Sequence, residues 1–64
     1  MKNSIKQLRK EFGLRQEDMA EKLGVSRQTI IAIEKNKYNP TLELAMKIAR
    51  LLGTPVEEIF ELDD

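Results

Sequence analysis

Between Leu23 and Arg27 one helix must end and another begin within three residues, Gly24-Val25-Ser26, and this junction restricts the fold more than any other feature. Gly24 is a natural left-handed position, where a helix closes with no Cβ to crowd it. Ser26 is an N-cap, and Val25 and Ile30 have the spacing of a hydrophobic staple, which fixes the angle at which the chain enters a helix. A junction this short forces the second helix to project from the first.

Similar punctuation runs along the rest of the chain and predicts five helices. The first begins near Ser4, whose hydroxyl stands three residues before Gln7 in a capping box. It buries Ile5, Leu8 and Phe12 and stops at Gly13, after which Leu14 folds back. The second covers about Gln16 to Leu23, with Met19, Ala20 and Leu23 on one face. The third continues to about Lys35, before a loop from Asn36 to Pro40 whose asparagines tolerate positive φ. Thr41 caps a fourth helix that reaches Leu52 and ends at Gly53. Thr54, Pro55 and Glu57 supply the N-cap, first-turn proline and capping-box acid of a short fifth helix ending near Phe60. The expected class is therefore all-α, a compact five-helix domain over residues 1–64. The paired helices occupy about 16–35, and helices four and five, about 41–60, complete the core.

A chain of 64 residues hides only about 60% of the surface its unfolded form exposes, so outside help with stability is worth seeking. Cysteine and histidine are both absent, which excludes disulfides, thiolate or imidazole metal ligands and the usual nucleophiles. With no Gly-rich phosphate loop either, no enzyme, metal, cofactor or small-molecule ligand is expected. That leaves a partner subunit as the source of help. No apolar run approaches the roughly twenty residues of a membrane span, and Met1 to Lys10 lacks the apolar stretch of a signal peptide. The expectation is a soluble cytoplasmic protein without membrane contact, and without room for a ligand-sensing domain.

Net charge is zero, which by itself argues against a nucleic-acid partner, but the charges are unevenly spread. Met1 to Pro40 carries nine basic residues against five acidic, or +4, and Thr41 to Asp64 two against six, or −4. Such a dipole suits one face to a polyanion and keeps the other away from it.

On a helical wheel with Arg27 at zero, Ile31, Lys35, Gln28 and Ala32 follow it along an arc of roughly 140°, and Thr29, Ile30 and Ile33 occupy the side opposite that arc. Arg27 and Gln28 lie in the first turn, where a helix entering a DNA major groove end-first meets base edges. Arg forks onto guanine O6 and N7, and Gln pairs with adenine N6 and N7. Ile31 suits a thymine methyl. Taken singly these are ordinary surface residues; following a tight turn and a sharp cap, they form a helix-turn-helix arrangement.

The run from Arg15 through Ile30, followed by Ile33-Glu34-Lys35-Asn36-Lys37-Tyr38-Asn39-Pro40, strongly resembles the phage-repressor and Cro-like helix-turn-helix family. The likeness covers nearly the whole chain, including Leu44-Ala45 and Glu57-Glu58-Ile59-Phe60. It is greatest to short stand-alone transcriptional regulators of bacteria and archaea. The resemblance implies that Gln16 hydrogen-bonds a DNA phosphate at the second helix's N-terminus, a position the helix dipole also favours. It further implies base reading by Arg27 and Gln28, a phosphate or groove contact by Thr29, and a groove-facing Ala32. Asn36, Lys37 and Tyr38 would lie along the DNA backbone, with Lys35 beside them, and Arg9 and Glu34 would form a structural ion pair. The chain departs from the family at Arg15, where Thr or Ser is usual, so the second helix loses a side-chain cap while gaining a side chain able to reach a phosphate. Asn36 replaces a frequent Gly, and Ile31 and Ala32 replace polar or basic residues.

The fourth helix is apolar over roughly 220°, more than one core requires. An exposed apolar patch is therefore expected near the Asn39 loop and the fifth helix, made of Asn39, Leu42, Val56, Ile59, Phe60 and Leu62. A two-fold copy of the chain would close it. The sequence thus supports a homodimeric regulator, acting as a repressor on double-stranded DNA with an inverted-repeat operator. A second reading stays open, in which the same fold is a protein-interaction or antitoxin-like module and DNA binding is secondary.

Overall fold

The chain's first and last described segments meet: Lys2–Asn3 (β1) pairs antiparallel with Phe60–Glu61 (β2), Lys2 opposite Glu61 and Asn3 opposite Phe60. Between them lie α1 (Ile5–Glu11), α2 (Gln16–Leu23), α3 (Arg27–Glu34), α4 (Leu42–Leu52) and α5 (Val56–Ile59). This computed structural model describes residues 1–63; Asp64, the last member of the acidic tally, lies outside the described residues. The architecture is the expected set of five helices, with a two-residue ribbon added at the chain ends.

The turn at Gly24 and the caps at Ser26 and Thr41 stand where the local spacing put them. Gly24 is left-handed at φ 72°, and the Ser26 hydroxyl accepts from the Thr29 N–H at 3.2 Å. The Thr41 hydroxyl accepts from the Leu44 N–H at 3.2 Å to start α4. Helices α2 and α3 pack closely on one another, and α4 closes over α2. Ile5, Met19, Ile30, Ile33, Ile48, Leu52 and Ile59 are fully enclosed at the centre. Each contributes on the order of 1.5–3 kcal/mol by leaving water, which makes this cluster the main source of stability in so short a chain.

Four expectations are corrected. Ser4 does not cap α1: its backbone (φ −109°, ψ 19°) is not extended, and Asn3 takes the role, its Oδ1 accepting from the Ile5 N–H at 3.1 Å. Phe12 is not in the core but 55% exposed, because α1's last regular residue is Glu11 and Phe12 falls at the C-cap. The Thr54 hydroxyl donates back to the Leu52 carbonyl at 3.0 Å, so Pro55 starts α5 without a side-chain cap. Lastly, Ile59 and Phe60, expected between subunits, are 1% and 9% exposed inside a single chain, where the ribbon holds them against the core. Leu42 and Leu62, at 74% and 73%, remain outside with Asn39, and Val56 is half-buried.

Candidate nucleic-acid interface

The Ser26 cap starts α3 cleanly, and its hydroxyl also lies 3.0 Å from the Thr29 hydroxyl, tying Thr29 back into the turn. Arg27 and Gln28 follow in the open, while Ile31 and Ala32, one turn later, are half-buried. Ile30 and Ile33 root the helix in the core. The result is a rigid stem with a polar tip, the shape needed to enter a groove about 12 Å wide.

Helix α2 begins beside that tip. Arginine has no acceptor, so Arg15 cannot cap in the manner of Ser or Thr. Asp18 answers instead: its carboxylate accepts from the Arg15 backbone N–H at 3.0 Å and from the guanidinium at 3.1 Å. Glu17 reaches the same guanidinium at 3.0 Å. The side-chain hydrogen bond from Arg15, reinforced by its backbone N–H, holds the Asp18 carboxyl below its usual range, and the same contacts raise the Arg15 guanidinium. Both groups are solvent-exposed, so the pair is worth little in stability. An acid three residues into a helix was visible in the sequence as a capping spacing, but its partner was not the usual Ser or Thr.

Beneath lies a buried polar cluster. Arg9 Nε donates to Glu34 at 2.8 Å and Nη1 to the Leu14 carbonyl at 2.9 Å, and the Arg9 and Glu34 side chains are only 8% and 5% exposed. The Gln16 amide donates to Glu34 at 3.2 Å, joining the paired charges to the start of α2. The Arg9 and Glu34 expected as a pair are therefore together. Gln16, expected on a phosphate, is anchored from below by one of its two N–H groups. Arg9, Arg15, Gln16, Glu17 and Arg27 line one cleft, so the first turns of α2 and α3 open onto the same space.

On the other flank, Thr29 and Tyr38 line a second cleft together with Gly24, Val25 and Thr41. Lys35, Asn36, Lys37 and Tyr38 are all exposed. Asn36 stands at φ 60°, and its N–H and that of Lys37 donate to Ile33 and Ala32 at 3.0 and 2.9 Å, the paired bonds of a Schellman motif. Asn3, to which nothing in the sequence points, also acts here: its Nδ2 donates to the Ile33 carbonyl at 2.8 Å and to Asn36 Oδ1 at 2.9 Å. Contacts over 30 and 33 residues leave no local signal.

The anionic clusters needed for a metal are missing among the described residues, and no helix there is long and apolar enough to cross a membrane. Exposed Arg, Gln and Lys groups around a projecting helix can bind phosphate and base edges. A family model described as helix-turn-helix matches residues 5–59. An uncharacterized HTH-type transcriptional regulator of Methanocaldococcus jannaschii is 59% identical over 64 residues, covering 100% of this chain and 97% of the relative. The cryptic phage CTXphi transcriptional repressor RstR of Vibrio cholerae is 39% identical over 57 residues, covering 89% of this chain and 51% of the repressor. Among solved structures, the hypothetical transcription factor NHTF from Neisseria superposes with a TM-score of 0.77 at 28% identity. That match covers 84% of this chain and 61% of the other.

Proposed function

This chain belongs to the helix-turn-helix family, a DNA-binding transcriptional regulator rather than an enzyme, and we propose that it acts in the cytoplasm as a homodimeric repressor on an inverted-repeat operator. The observation that carries this reading is the exposed pair Arg27 and Gln28 at the tip of a capped, core-anchored α3. In the major groove these two choose among bases, with Ile31 and Ala32 packing on thymine methyls one turn later. Arg15, Gln16, Thr29, Lys35, Asn36, Lys37 and Tyr38 flank the tip and fix it against the backbone phosphates. Residues 1–64 work as one unit, with 16–35 reading DNA and 41–60 completing the core and carrying the subunit contact.

Scale supports dimerisation. The chain measures 32 × 21 × 20 Å and has a single α3, whereas successive major grooves on one face of DNA lie about 34 Å apart. Reading two grooves therefore takes two chains. With Ile59 and Phe60 withdrawn into the core, the contact falls to Asn39, Leu42, Val56 and Leu62. Met46, 56% exposed and lining one groove with Leu42, joins them.

Selection of bound fragments from random DNA tests the proposal. The expected result is an inverted repeat with half-site centres about 10 base pairs apart and affinity falling steeply with salt. Enrichment of no sequence would overturn the regulator reading of α3. A lone half-site bound by a monomer would overturn the dimer. Replacing Arg27 and Gln28 by Ala should abolish the preference while the fold persists; unchanged binding would favour the protein-interaction module.

A further inference from the structure

Asn3 makes three hydrogen bonds to three different parts of the chain: α1, α3 and the loop after α3. Its Oδ1 accepts from Ile5 N–H at the start of α1, and its Nδ2 donates both to the Ile33 carbonyl and to Asn36 Oδ1. Chemistry settles the amide's orientation, since a backbone N–H can only donate and a carbonyl can only accept. The residue is itself fixed by ribbon pairing to Phe60. The two Nδ2 contacts hold the end of α3 from outside the helix, and the Oδ1 contact ties them to the start of α1.

The carbonyl of Ile33 already accepts the Asn36 N–H in the Schellman motif that turns the chain out of α3. Asn36 adopts φ 60°, a conformation Gly reaches without strain and Asn at some cost. Gly would serve the turn better but would offer no acceptor to Asn3. What Asn36 adds is an anchor, in the loop that presents Lys37 and Tyr38.

Building on the DNA reading, we propose that Asn3 and Asn36 form a positioning pair that sets the Asn36–Tyr38 loop at the height where it meets a backbone phosphate. Neither residue touches a base. The pair acts on the number of phosphates engaged and leaves sequence preference to Arg27 and Gln28. Without it the loop remains closed by its own backbone bonds but swings about the end of α3, and ordering it on DNA weakens binding.

Asn3→Asp removes the donor arms and adds one negative charge: the acceptor for Ile5 stays, and an oxygen replaces the nitrogen facing Ile33 and Asn36. Asn3→Ser keeps an acceptor for Ile5 and removes the same arms without the charge, so its loss of binding belongs to the arms alone. Asn36→Gly removes one arm while relieving the positive φ, so a purely structural role predicts unchanged or tighter binding. The probe is a mixed-sequence duplex, titrated with the intact protein at several salt concentrations, with melting temperatures measured in parallel. Asn3→Asp should weaken binding about tenfold and lower the slope of log K against log salt by about 0.9 for each phosphate lost. Asn36→Gly should weaken binding about threefold, through loss of the single Asn36 arm, while melting no lower than wild type. Wild-type slopes in Asn3→Ser and Asn36→Gly, or tighter binding by Asn36→Gly, would overturn the pair; should Asn3→Asp fail to fold, Asn3→Ser decides, because it leaves every phosphate-facing side chain unchanged. Arg27→Ala on a selected fragment keeps the two ideas apart. If it loses preference while Asn3→Ser and Asn36→Gly bind as wild type, only the positioning pair fails; if it loses nothing, the reading of α3 fails.

Discussion

The first turns of α2 and α3 open onto one cleft and are built in opposite ways. At the start of α2 every polar side chain is already engaged: Arg15 with Asp18 and Glu17, Gln16 with Glu34. At the start of α3 the Ser26 cap closes on Thr29, and Arg27 and Gln28 stand in solvent. A tethered side chain has lost most of its rotamer freedom before any ligand arrives, whereas a free one loses it only on binding. Tethering suits a contact that is the same on every DNA, such as a phosphate. Freedom suits contacts whose energy must differ from one sequence to another.

The comparison breaks most severely at its buried root. Glu34→Ala leaves Arg9 charged and enclosed, with only the Leu14 carbonyl as partner, and releases Gln16. A loss of about 3–5 kcal/mol is expected, enough to unfold much of so small a domain at room temperature, seen as a lowered denaturation midpoint. Unchanged stability would mean the cluster does not anchor α2. Next in size is the free side: Arg27→Ala should lower affinity for a selected site by about 1–3 kcal/mol, with a melting temperature close to wild type. A matching drop in thermal stability would place Arg27 among the structural residues.

Ser26→Ala sharpens the contrast at the helix start. It removes the acceptor for Thr29 N–H and should cost about 1 kcal/mol, a shift of roughly 4–8 °C in melting temperature. The smallest effect belongs to Asp18. Its carboxyl titrates below the usual range because Arg15 hydrogen-bonds the ionised form, so its contribution is present at neutral pH and is lost as pH falls through the lowered pKa. Asn at this position still accepts the Arg15 N–H but has no charge to titrate. Asp18→Asn should therefore be slightly less stable than wild type at pH 7, and the gap should close below about pH 4. A gap that widened in acid would reverse the sign assigned to this pair.

Legibility in the sequence followed the range of each interaction. The caps at Ser26 and Thr41 and the turn at Gly24 each depend on groups within four residues, and all three stand where local spacing put them. Ile30 and Ile33 fall on the buried side of α3 for the same reason: a helix's period is a local property. The apolar surplus of the fourth and fifth helices was visible as an amount but not as a place. Ile59 and Phe60 could go into their own core or onto a copy of the chain. The choice depended on Phe60 pairing with Asn3, a partner nearly the whole chain away.

By itself, then, the sequence determined five helices, the caps at Ser26 and Thr41, the tight α2–α3 junction and the exposed arc of α3, because each is written in neighbours a turn or less apart. Only the tertiary structure decided that the chain ends pair, that Asn3 reaches Ile33 and Asn36, and that Gln16 joins Arg9 and Glu34. Those contacts are hydrogen bonds between distant residues whose donors and acceptors have many possible partners until the packed core brings one within about 3 Å.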